Sequence, residues 1–590
     1  MDSTKPRAAT DRLPSLQKPV LEQTAPIATA SNDETKQEVA DMNFIVNETL
    51  QKLRGGYYTP LDLAGFLTRW LSDISPQSLL EPSCGDGAFF HALANVAAPR
   101  TPAVTAFEVD IAEAEKAKNA ARSLGVDAKI RSEDFLGWAL KHLNDRDARF
   151  DAVAGNPPFI RYQYLPAEFQ ARAEKVFDVL GLPFTKHTNA WVPFVLISLE
   201  LLRPGGRLAM VVPAEIIHVM HAQSLRTFLG RQCRRVVLID PQELWFDNTL
   251  QGAVLLLAEK RRSAAEPLEG LAIYEVSGRE FLKRSPADIF NSPQCLNGKT
   301  VDGKWTRALL DKETRDLLDE LAERRDVHRF ADVANVDVGI VTGANKYFLV
   351  TDEVVQEYGL QRWAHPMFGR SEHCPGVIYD AKQHRANARN GNPSNFLWFD
   401  DEANLDDAAQ RYIRLGEEEK LHTRYKCRVR TPWFTVPSVY ATEIGMLKRS
   451  HDTPRLILNR LRAYTTDTSY RIRSLVAPPE MLVACFTNPL TALSAELEGR
   501  HYGGGVLELV PSEIERLAVP LPRKFRPAVR ELDRLVRTRT AAEVLDVYGV
   551  KVLDALGCTR AQHRQLLVAW DRLRRRRQRI GSAEADADAA

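Results

Sequence analysis

Between residues 46 and 262, short apolar runs alternate with longer stretches in which apolar residues recur every three or four positions. Short apolar runs are typical of buried strands, and the longer periodic stretches are typical of amphipathic helices. Strands alternating with helices predict a doubly wound α/β domain with a mostly parallel sheet. Its seven predicted strands are SLLEP (78–82), AVTAFEV (103–109), DAKIR (127–131), FDAVAGN (150–156), RLAMVVP (207–213), RVVLID (235–240) and AVLLLAE (253–259).

The rest of the chain divides by composition into five segments. Ser, Thr, Pro, Ala and Gln dominate the N-terminal segment, which predicts a disordered leader. A polar connector follows the α/β domain, and then strand-like pieces with many turn residues and clustered aromatics predict a second domain of mixed type. The expected segments are a leader (1–45), a connector (263–330), a second domain (331–522), a helical region (523–580) and an acidic tail (581–590).

The bulk composition is that of an ordinary globular protein. The chain has 590 residues, 44% of them hydrophobic and 26% charged, which is enough for two or three domains. The formal net charge of +2 neither favours nor excludes a nucleic-acid partner. Seven scattered cysteines without CxxC pairs indicate neither disulfides nor structural zinc, and a reducing cytoplasm is expected. We expect no signal peptide, no membrane span and no metal site.

A glycine turn follows the first predicted strand. In SLLEPSCGDGAFF, Gly85 and Gly87 stand where the strand turns into a helix. Glycines at such a place let the backbone approach a ligand closely. A phosphate-binding loop would need GxGxxG or a terminal Gly-Lys-Ser/Thr, and neither is present. A plain strand–helix turn explains the same two glycines.

Acidic residues at the next two strand ends favour a ligand. Glu108 lies about 20 residues after the glycine turn, where dinucleotide-binding folds place the carboxylate that accepts from ribose hydroxyls. Asp134, followed by Phe135, comes after the third strand and could accept from an adenine amino group. Each acid alone is typical of a solvated loop. Together with the glycine turn they indicate a ligand with ribose and adenine and no required phosphate, which describes S-adenosylmethionine.

Five motifs together resemble the DNA adenine-N6 methyltransferases. They are GGYYTP (55–60), EPSCGDGAFF (81–90), FEVD (107–110), EDF (133–135) and NPPF (156–159). With YYTP ahead of the glycine motif, their order is similar to that of the gamma group, which includes TaqI-like, Eco57I-like and PaeR7I-like type II modification methylases. The resemblance covers roughly residues 46–262 and implies a Rossmann-like S-adenosylmethionine-dependent methyltransferase domain.

The resemblance also implies residue roles at the cofactor. Thr59, preceded by Tyr58, would contact the methionine carboxylate, and Glu108 would bind the ribose. Asp134 and Phe135 would bind the adenine. The full implied cofactor set is Tyr58, Thr59, Glu81, Cys84, Gly85, Gly87, Glu108, Asp134 and Phe135.

The NPPF motif is the implied catalytic turn. Pro157 and Pro158 end the strand and stiffen the backbone, although a loop that simply needs proline has the same sequence. The Asn156 side-chain carbonyl and the Pro157 backbone carbonyl could accept the two hydrogens of an exocyclic amine and free its lone pair. Phe159 would stack on the target base, which must leave the duplex to reach the turn. Phe246 matches the family's second stacking position, or is a core aromatic.

Three segments of the second domain resemble the target-recognition domain of Eco57I-like and PaeR7I-like enzymes. They are VDVGIVTGANKYFLV (336–350), RYKCRVRTPWFTVP (424–437) and GRHYGGGVLELVPSEIERLAVPLP (499–522). In the second of these, basic residues alternate as one face of a strand would, and they suit phosphate contacts beside an aromatic ring. The predicted DNA-binding residues are Arg424, Lys426, Arg428, Arg430 and Trp433.

Two further features leave alternatives open. The glycine run 503–505 could approach DNA or form a tight turn. The run Arg574–Arg577 could bind phosphates, or it could be a solvated helix end.

The sequence therefore predicts an adenine-N6 DNA methyltransferase with double-stranded DNA as substrate. It would serve a restriction or phage-defence system, with a cognate endonuclease as a possible partner. An RNA or protein-glutamine methyltransferase shares an NPP-type turn, and a non-catalytic DNA-binding subunit could keep the same fold. A nuclease within this polypeptide is not expected, because about 45 residues precede the motifs.

Overall fold

The structure of the chain is a computed structural model that describes residues 58–96, 101–243, 245, 252–298, 303–400, 402–502 and 504–578. The predicted leader 1–45, the acidic tail 581–590 and Phe246 lie outside the described residues. All described residues belong to one compact unit, Arg54–Ala590. Within the described ranges, no helix combines the length and apolarity needed to cross a membrane.

The predicted α/β domain contains one large sheet with the order β3-β2-β1-β4-β5-β7-β6-β8. All seven predicted strands are present, and an eighth, from the segment expected to be a connector, pairs in parallel with β6. Only β7 runs antiparallel to its neighbours. The strands are β1 Ser78–Glu81, β2 Ala103–Phe107, β3 Ala128–Arg131, β4 Phe150–Gly155, β5 Leu202–Pro213, β6 Cys233–Pro241, β7 Ala253–Lys260 and β8 Gly270–Val276.

Helices cover both faces of this sheet because its strands bury side chains on both sides. In β4, Ala152 and Ala154 face one core, whereas Val153 faces the other, as the two-residue period of a strand requires. The helix Trp191–Leu201 is apolar all round and buries ten of its eleven residues. One helix, Leu61–Ser72, precedes β1, and the α-helices between the strands are Ala88–Ala94, Ile111–Leu124, Phe135–His142, Ala167–Val179, Trp191–Leu201 and Gln223–Gln232.

The residues after β8 form smaller sheets and many helices, so this C-terminal region (277–578) is of mixed α/β type. Its sheets have the orders β10-β19-β15-β17-β13, β11-β14-β12-β18, β16-β21-β20 and β22-β9. The strands are β9 Val327–Arg329, β10 Ala334–Val338, β11 Leu349–Val350, β12 Ala364–Phe368, β13 Ile378–Tyr379, β14 Asn395–Leu397, β15 Ile444–Leu447, β16 Arg449–Ser450, β17 Leu456–Asn459, β18 Tyr464–Thr465, β19 Ser469–Ser474, β20 Arg500–Tyr502, β21 Val506–Glu508 and β22 Ala518–Pro520.

The last helices pack against the large sheet domain. Trp570 and Leu573 of the helix Arg560–Gln578 belong to the same apolar core as Trp191. The predicted helical region is therefore part of the globular core. The α-helices of the C-terminal region are Pro286–Asn291, Lys312–Ala322, Phe330–Val333, Asn345–Phe348, Asp352–Tyr358, Ala381–Arg389, Asp407–Glu418, Tyr425–Arg428, Pro479–Phe486, Pro489–Glu498, Pro511–Ile514, Val529–Thr538, Ala541–Val544, Val550–Leu556 and Arg560–Gln578.

Candidate active site

The glycine turn and the NPPF turn lie side by side at the carboxyl ends of two central strands of the large sheet. They follow β1 and β4, which pair in parallel with Leu79 opposite Ala152 and Leu80 opposite Val153. The strand order reverses between β1 and β4, because β2 lies on the other side of β1. In open α/β sheets, ligands bind in the crevice at the carboxyl ends of the strands where the order reverses. The fold therefore brings both motifs to the expected ligand position.

The glycine turn depends on left-handed backbone. Gly85 has φ +52° and Gly87 has φ +96°, values that residues with a side chain rarely adopt. A Cβ on Gly87 would lie 2.8 Å from a ring carbon of Phe90. The backbone N–H of Cys84 donates to the carbonyl of Phe107 at 2.9 Å, which ties the turn to the end of β2.

Two carboxylates line this turn. Glu108 Oε2 accepts from the backbone N–H of Gly85 at 3.1 Å, and Oε1 accepts from that of Asp110 at 2.8 Å. Burial raises the pKa of Glu108, although these backbone hydrogen bonds oppose the rise. The carboxylate of Glu108 thus faces the glycine turn, where the sequence predicted a ribose-binding group.

Glu81, the last residue of β1, is buried and only 1% exposed. Its Oε2 has no hydrogen-bond partner among the described residues. Burial raises the pKa of Glu81 well above its usual value, and the charges of Asp86 and Glu108 add to the rise. A buried polar atom without a partner is rare in native proteins and indicates a missing partner. A cationic group fits this position best, because it would satisfy the oxygen and reduce the repulsion between the carboxylates.

Asp134 and Phe135 follow β3 but are already used by the fold. Asp134 Oδ2 accepts from the backbone N–H of Gly137 at 2.6 Å and from Arg172 Nη1 at 3.1 Å. Asp134 therefore begins the helix Phe135–His142 as its N-cap residue. The ring of Phe135 is 1% exposed and lies in the core, with its centroid 5.3 Å from that of Phe107. Adenine binding by Asp134 and Phe135 stays a prediction.

Tyr58 and Thr59 stand just before the helix Leu61–Ser72. Thr59 is buried. Tyr58 is 45% exposed, and its hydroxyl donates to Glu113 Oε2 at 3.2 Å. Glu113 lies in the first turn of the helix that follows Glu108, so Tyr58 lies beside the same crevice. Contact between Thr59 and a methionine carboxylate stays a prediction.

The NPPF turn is held firmly against the end of β1. Ser83 Oγ donates to the backbone carbonyl of Asn156 at 3.0 Å. A Cβ on Gly155 would lie 3.2 Å from Pro82 Cδ, so the two strand ends pack with little spare space. Pro157 is buried, while Asn156 and Phe159 are half-buried. The backbone of the turn is therefore stiff at the residue that carries the amide side chain.

The remainder of the NPPF loop is held from the other side. The backbone N–H of Ala190 donates to the carbonyl of Ile160 at 2.9 Å. The neighbours of Ala190 both donate to Glu215 Oε1, Asn189 at 2.8 Å and Trp191 at 3.0 Å. Burial works to raise the pKa of Glu215, but His221, whose Nε2 lies 3.6 Å from Oε1, and the hydrogen bonds from Trp191 and Asn189 outweigh it and hold the pKa at about 2.

Sequence reasoning missed several residues of this site. Glu215 and Ser83 organise the NPPF turn; Glu215 belongs to none of the five motifs, and Ser83 lies in EPSCGDGAFF but was given no role there. Val109 and Ile111, next to Glu108, are 68% and 71% exposed. Large aliphatic side chains this exposed beside a candidate ribose site indicate a surface that a flat apolar ligand group would cover. The alternation FEVDI carried that signal, because two aliphatic residues interrupt an acidic loop.

The predicted basic strand at 424–430 is wrong. Residues Tyr425–Arg428 form one helical turn, with the carbonyl of Arg424 accepting from the backbone N–H groups of Cys427 and Arg428 at 2.9 Å. Cys427 and Trp433 are buried in one apolar core, and this inward spacing overrides the two-residue alternation. Burying the side chains of Cys427 and Trp433 is favourable because it removes apolar surface from water, and this burial determines the local backbone conformation.

The five predicted DNA-binding residues consequently fall into two groups. Arg424, Lys426 and Arg428 are exposed. Lys426 Nζ and Arg428 Cζ lie 5.8 and 5.5 Å from the ring centroid of Tyr425, which is itself 65% exposed. Arg430 is half-buried. Its guanidinium donates to two backbone carbonyls, and Trp433 Nε1 donates to Glu417 at 3.2 Å.

The arginine run 574–577 is neither a phosphate site nor a solvated helix end. Arg576 pairs with Asp240 at the end of β6, and both side chains are buried. Arg577 pairs with Glu496 at 2.8 Å, and both of these side chains are fully buried. These two ion pairs join the last helix to the large sheet through Asp240 and to the helix Pro489–Glu498 through Glu496. Of the glycine run, Gly504 and Gly505 have positive φ and form a turn between β20 and β21, whereas 503 lies outside the described residues.

Two family models match this chain over separate ranges. The "Eco57I restriction-modification methylase" model matches residues 68–245, which contain the crevice. The "Type II methyltransferase M.Eco57I, C-terminal domain" model matches residues 302–553. Both models therefore derive from the same kind of protein, and they match in the order expected for one.

The chain is also similar to individual curated proteins and to solved structures. The chain is 22% identical over 479 residues to the type II methyltransferase M.AccI of Acinetobacter calcoaceticus, a match that covers 78% of this chain and 84% of the relative. It is also 22% identical over 239 residues to the type II restriction enzyme and methyltransferase RM.Eco57I of Escherichia coli, covering 39% of this chain and 22% of the relative. The solved structure of the type IIG restriction endonuclease BpuSI has a TM-score of 0.41 and 13% identity, over 92% of this chain and 68% of that one.

Proposed function

Because the chain belongs to the Eco57I-type restriction-modification methylases, we propose that it methylates the N6 amine of adenine within a specific sequence of double-stranded DNA. The family places it among the DNA methyltransferases, with S-adenosyl-L-methionine as cofactor. The choice of adenine, the base-flipped geometry and the residue roles below are the proposal. The observation that carries it is the stiff NPPF turn beside the carboxylate-lined crevice.

The cofactor fits the crevice on the side of β1, β2 and β3. S-adenosyl-L-methionine supplies an electrophilic methyl group on a positively charged sulfur. Glu81, whose Oε2 lacks a partner among the described residues, would pair with the α-ammonium group. Glu108 would accept from the ribose hydroxyls, and the exposed Val109 would cover one face of the adenine ring.

The target amine would be activated by Asn156 and Pro157. The lone pair of an exocyclic amine is delocalised into the ring, which makes the nitrogen a poor nucleophile. Two carbonyl acceptors aimed at its two hydrogens draw the nitrogen towards tetrahedral geometry and free that lone pair. The Asn156 side-chain carbonyl and the Pro157 backbone carbonyl would be the acceptors, and the packing of Gly155 on Pro82 holds the backbone that carries them. The proton leaves after the methyl group has been transferred.

The base must leave the duplex to reach this turn, because the amine of a stacked and paired adenine is inaccessible to it. Phe159, half-buried between the two cores of the sheet domain, would stack on the extruded base. Phe246 stays the predicted second wall.

Duplex DNA would be held by the C-terminal region. Arg424, Lys426 and Arg428 remain the proposed phosphate contacts, because all three are exposed and two of them, Lys426 and Arg428, lie beside the exposed ring of Tyr425. Arg430 and Trp433 stabilise the segment that carries these three exposed basic residues. We do not propose that Arg430 or Trp433 contacts DNA. A restriction or phage-defence system, with a cognate endonuclease, is the proposed setting.

Analysis of the modified nucleosides tests this function. Purified protein is incubated with plasmid DNA and the cofactor, the DNA is digested to nucleosides, and these are identified by mass spectrometry. We expect N6-methyldeoxyadenosine, and long-read sequencing of the same DNA should place it in one short sequence. N4-methyldeoxycytidine would correct the base. Unmethylated DNA alongside methylated RNA or protein would overturn the proposed substrate.

A further inference from the structure

A hairpin of the C-terminal region, formed by β20 and β21, lies at the same end of the large sheet as the NPPF turn, where the parallel strands terminate. The backbone N–H of His501 in β20 donates to His218 Nε2 at 3.2 Å, and the two imidazole rings lie 4.5 Å apart. His218 follows β5, the strand beside β4, and is buried. The hairpin is therefore fixed to the sheet one strand away from the NPPF turn.

The turn of the hairpin is fixed by the last helix. Arg577 donates to the backbone carbonyl of Gly505. A Cβ on Gly505 would lie only 2.8 Å from the Cα of Gln578, so helix and turn are in close contact. The same helix pairs Arg576 with Asp240 at the end of β6. Two independent contacts thus hold the hairpin at a set position relative to the sheet edge.

Tyr502, directly after His501, is the exposed aromatic residue of this hairpin. It is 40% exposed. Arg449 Cζ in β16 lies 5.5 Å from its ring centroid, and the Arg449 side chain is 63% exposed. An aromatic hydroxyl and a guanidinium are therefore presented together towards solvent.

Arg161 belongs to the loop that continues the NPPF turn, at the end of the sheet to which the hairpin is fixed. It lies two residues after Phe159, is exposed, and has no ion-pair partner among the described residues. Burial and Glu508 raise the pKa of the Tyr502 hydroxyl, and the charges of Arg500, Arg449 and Arg161 oppose the rise.

Cations outnumber carboxylates around the hairpin. Glu508 is shared between Lys448 at 3.3 Å and Arg449 at 2.7 Å. The second buried carboxylate, Glu513, is likewise shared between Lys304 and Arg500, each at 3.0 Å. Each carboxylate thus balances one of its two cations, and Arg161 adds another positive charge. This surplus suits an anionic partner.

We propose that Arg161, Arg449 and Tyr502 bind the sugar-phosphate backbone of the DNA strand that carries the target base, next to the methylation pocket. The inference rests on the proposed function, because that function places the extruded base at the NPPF turn. Phosphates flanking such a base must pass close to Arg161. Exposed guanidinium groups and a tyrosine hydroxyl are common phosphate contacts, which position DNA without reading its sequence.

The salt dependence of DNA binding tests the proposed contact. Affinity of the full-length protein for a short duplex of arbitrary sequence is measured by fluorescence anisotropy at several salt concentrations. For Arg161→Ala we expect several-fold weaker binding and a slope of log affinity against log salt that is smaller by about one. Arg231→Ala is the matched control, because Arg231 is exposed at the opposite edge of the sheet, before β6. Equal slopes for wild type and Arg161→Ala would overturn the inference.

The place of the contact is tested separately by ethylation interference, on a duplex that contains the methylated sequence. Compared with wild type, Arg161→Ala and Tyr502→Ala should each lose a phosphate contact beside the methylated adenine, and Tyr502→Phe should lose the same contact as Tyr502→Ala, because the hydroxyl makes it. Lost contacts a helical turn away, or none lost, would contradict the proposal. Methylation by the wild type reports on the proposed function independently. If it fails, the salt slopes still decide whether Arg161 binds DNA.

Discussion

The crevice of the large sheet and the basic segments of the C-terminal region contrast in how their residues are used. At the crevice, Gly85, Glu108 and Asn156 lie in turns that follow parallel strands, and the fold brings them to one edge. In the C-terminal region, similar-looking arginines have opposite fates: Arg428 is exposed, whereas Arg577 is fully buried beside Glu496. The position of a motif at the end of a buried strand follows from the strand order, whereas the role of a charged side chain depends on the residues that pack around it.

The buried arginine gives the sharpest test of this contrast. Arg577→Ala leaves Glu496 buried without its partner, and we expect a loss of about 3–5 kcal/mol in the free energy of unfolding. Arg575→Ala removes only a partly exposed pair with Asp571 and should cost about 0–1 kcal/mol. Chemical denaturation of both variants provides the comparison. Similar small losses, accompanied by weakened DNA binding, would restore the run as a phosphate site.

A second pair of arginines divides the segment 424–430 in the same way. The Arg430 guanidinium donates to the carbonyls of Thr342 at 2.8 Å and Val341 at 2.7 Å. Arg430→Ala should therefore lower the free energy of unfolding by about 1–3 kcal/mol. Arg428→Ala should leave stability and cofactor affinity unchanged and weaken DNA binding. Thermal unfolding measures the change in stability, and DNA titration measures the change in binding. Weaker DNA binding by Arg430→Ala together with reduced stability of Arg428→Ala would show that the exposed turn is not the interface.

The carboxylates of the crevice predict a pH dependence that the C-terminal arginines do not share. Burial, with the charges of Asp86 and Glu108, raises the pKa of Glu81 well above 4.5. Glu81 must be ionised to pair with the cofactor's ammonium group. Cofactor affinity should consequently rise with pH, by up to about tenfold per pH unit, until the pH exceeds that raised pKa.

Glu81→Gln is the control for this pH dependence. It should bind the cofactor more weakly and lose that part of the pH slope, as measured by calorimetry. The free protein should behave in the opposite sense. Because its folded state binds the extra proton, wild-type stability falls as pH rises from the unfolded pKa towards the folded one, and Glu81→Gln should lack that fall. An unchanged pH slope of binding in Glu81→Gln would remove Glu81 from the cofactor site.

The same contrast explains how much the sequence could predict. The seven predicted strands are all present in the eight-stranded sheet. The central ones were found because buried strands have continuous apolar runs, and the turn motifs followed from their ends. The eighth strand, Gly270–Val276, was missed because it extends an edge and lies in a polar stretch. The helical turn at Tyr425–Arg428 was missed because the burial of Cys427 and Trp433 is a tertiary effect. Ser83 and Glu215 act through backbone contacts and neighbours that no spacing reveals.

Methyl transfer by Asn156→Ala tests the central claim most directly, that the NPPF turn activates an amine beside the cofactor crevice. Single-turnover transfer to DNA and cofactor affinity are measured together. Ser83→Ala is the matched control, because it removes the bond to the Asn156 backbone and keeps the amide side chain. We predict at least about a 100-fold slower transfer for Asn156→Ala with unchanged cofactor affinity. For Ser83→Ala we predict a loss of only about 1 kcal/mol in the free energy of unfolding. Transfer by Asn156→Ala at close to the wild-type rate would contradict the account.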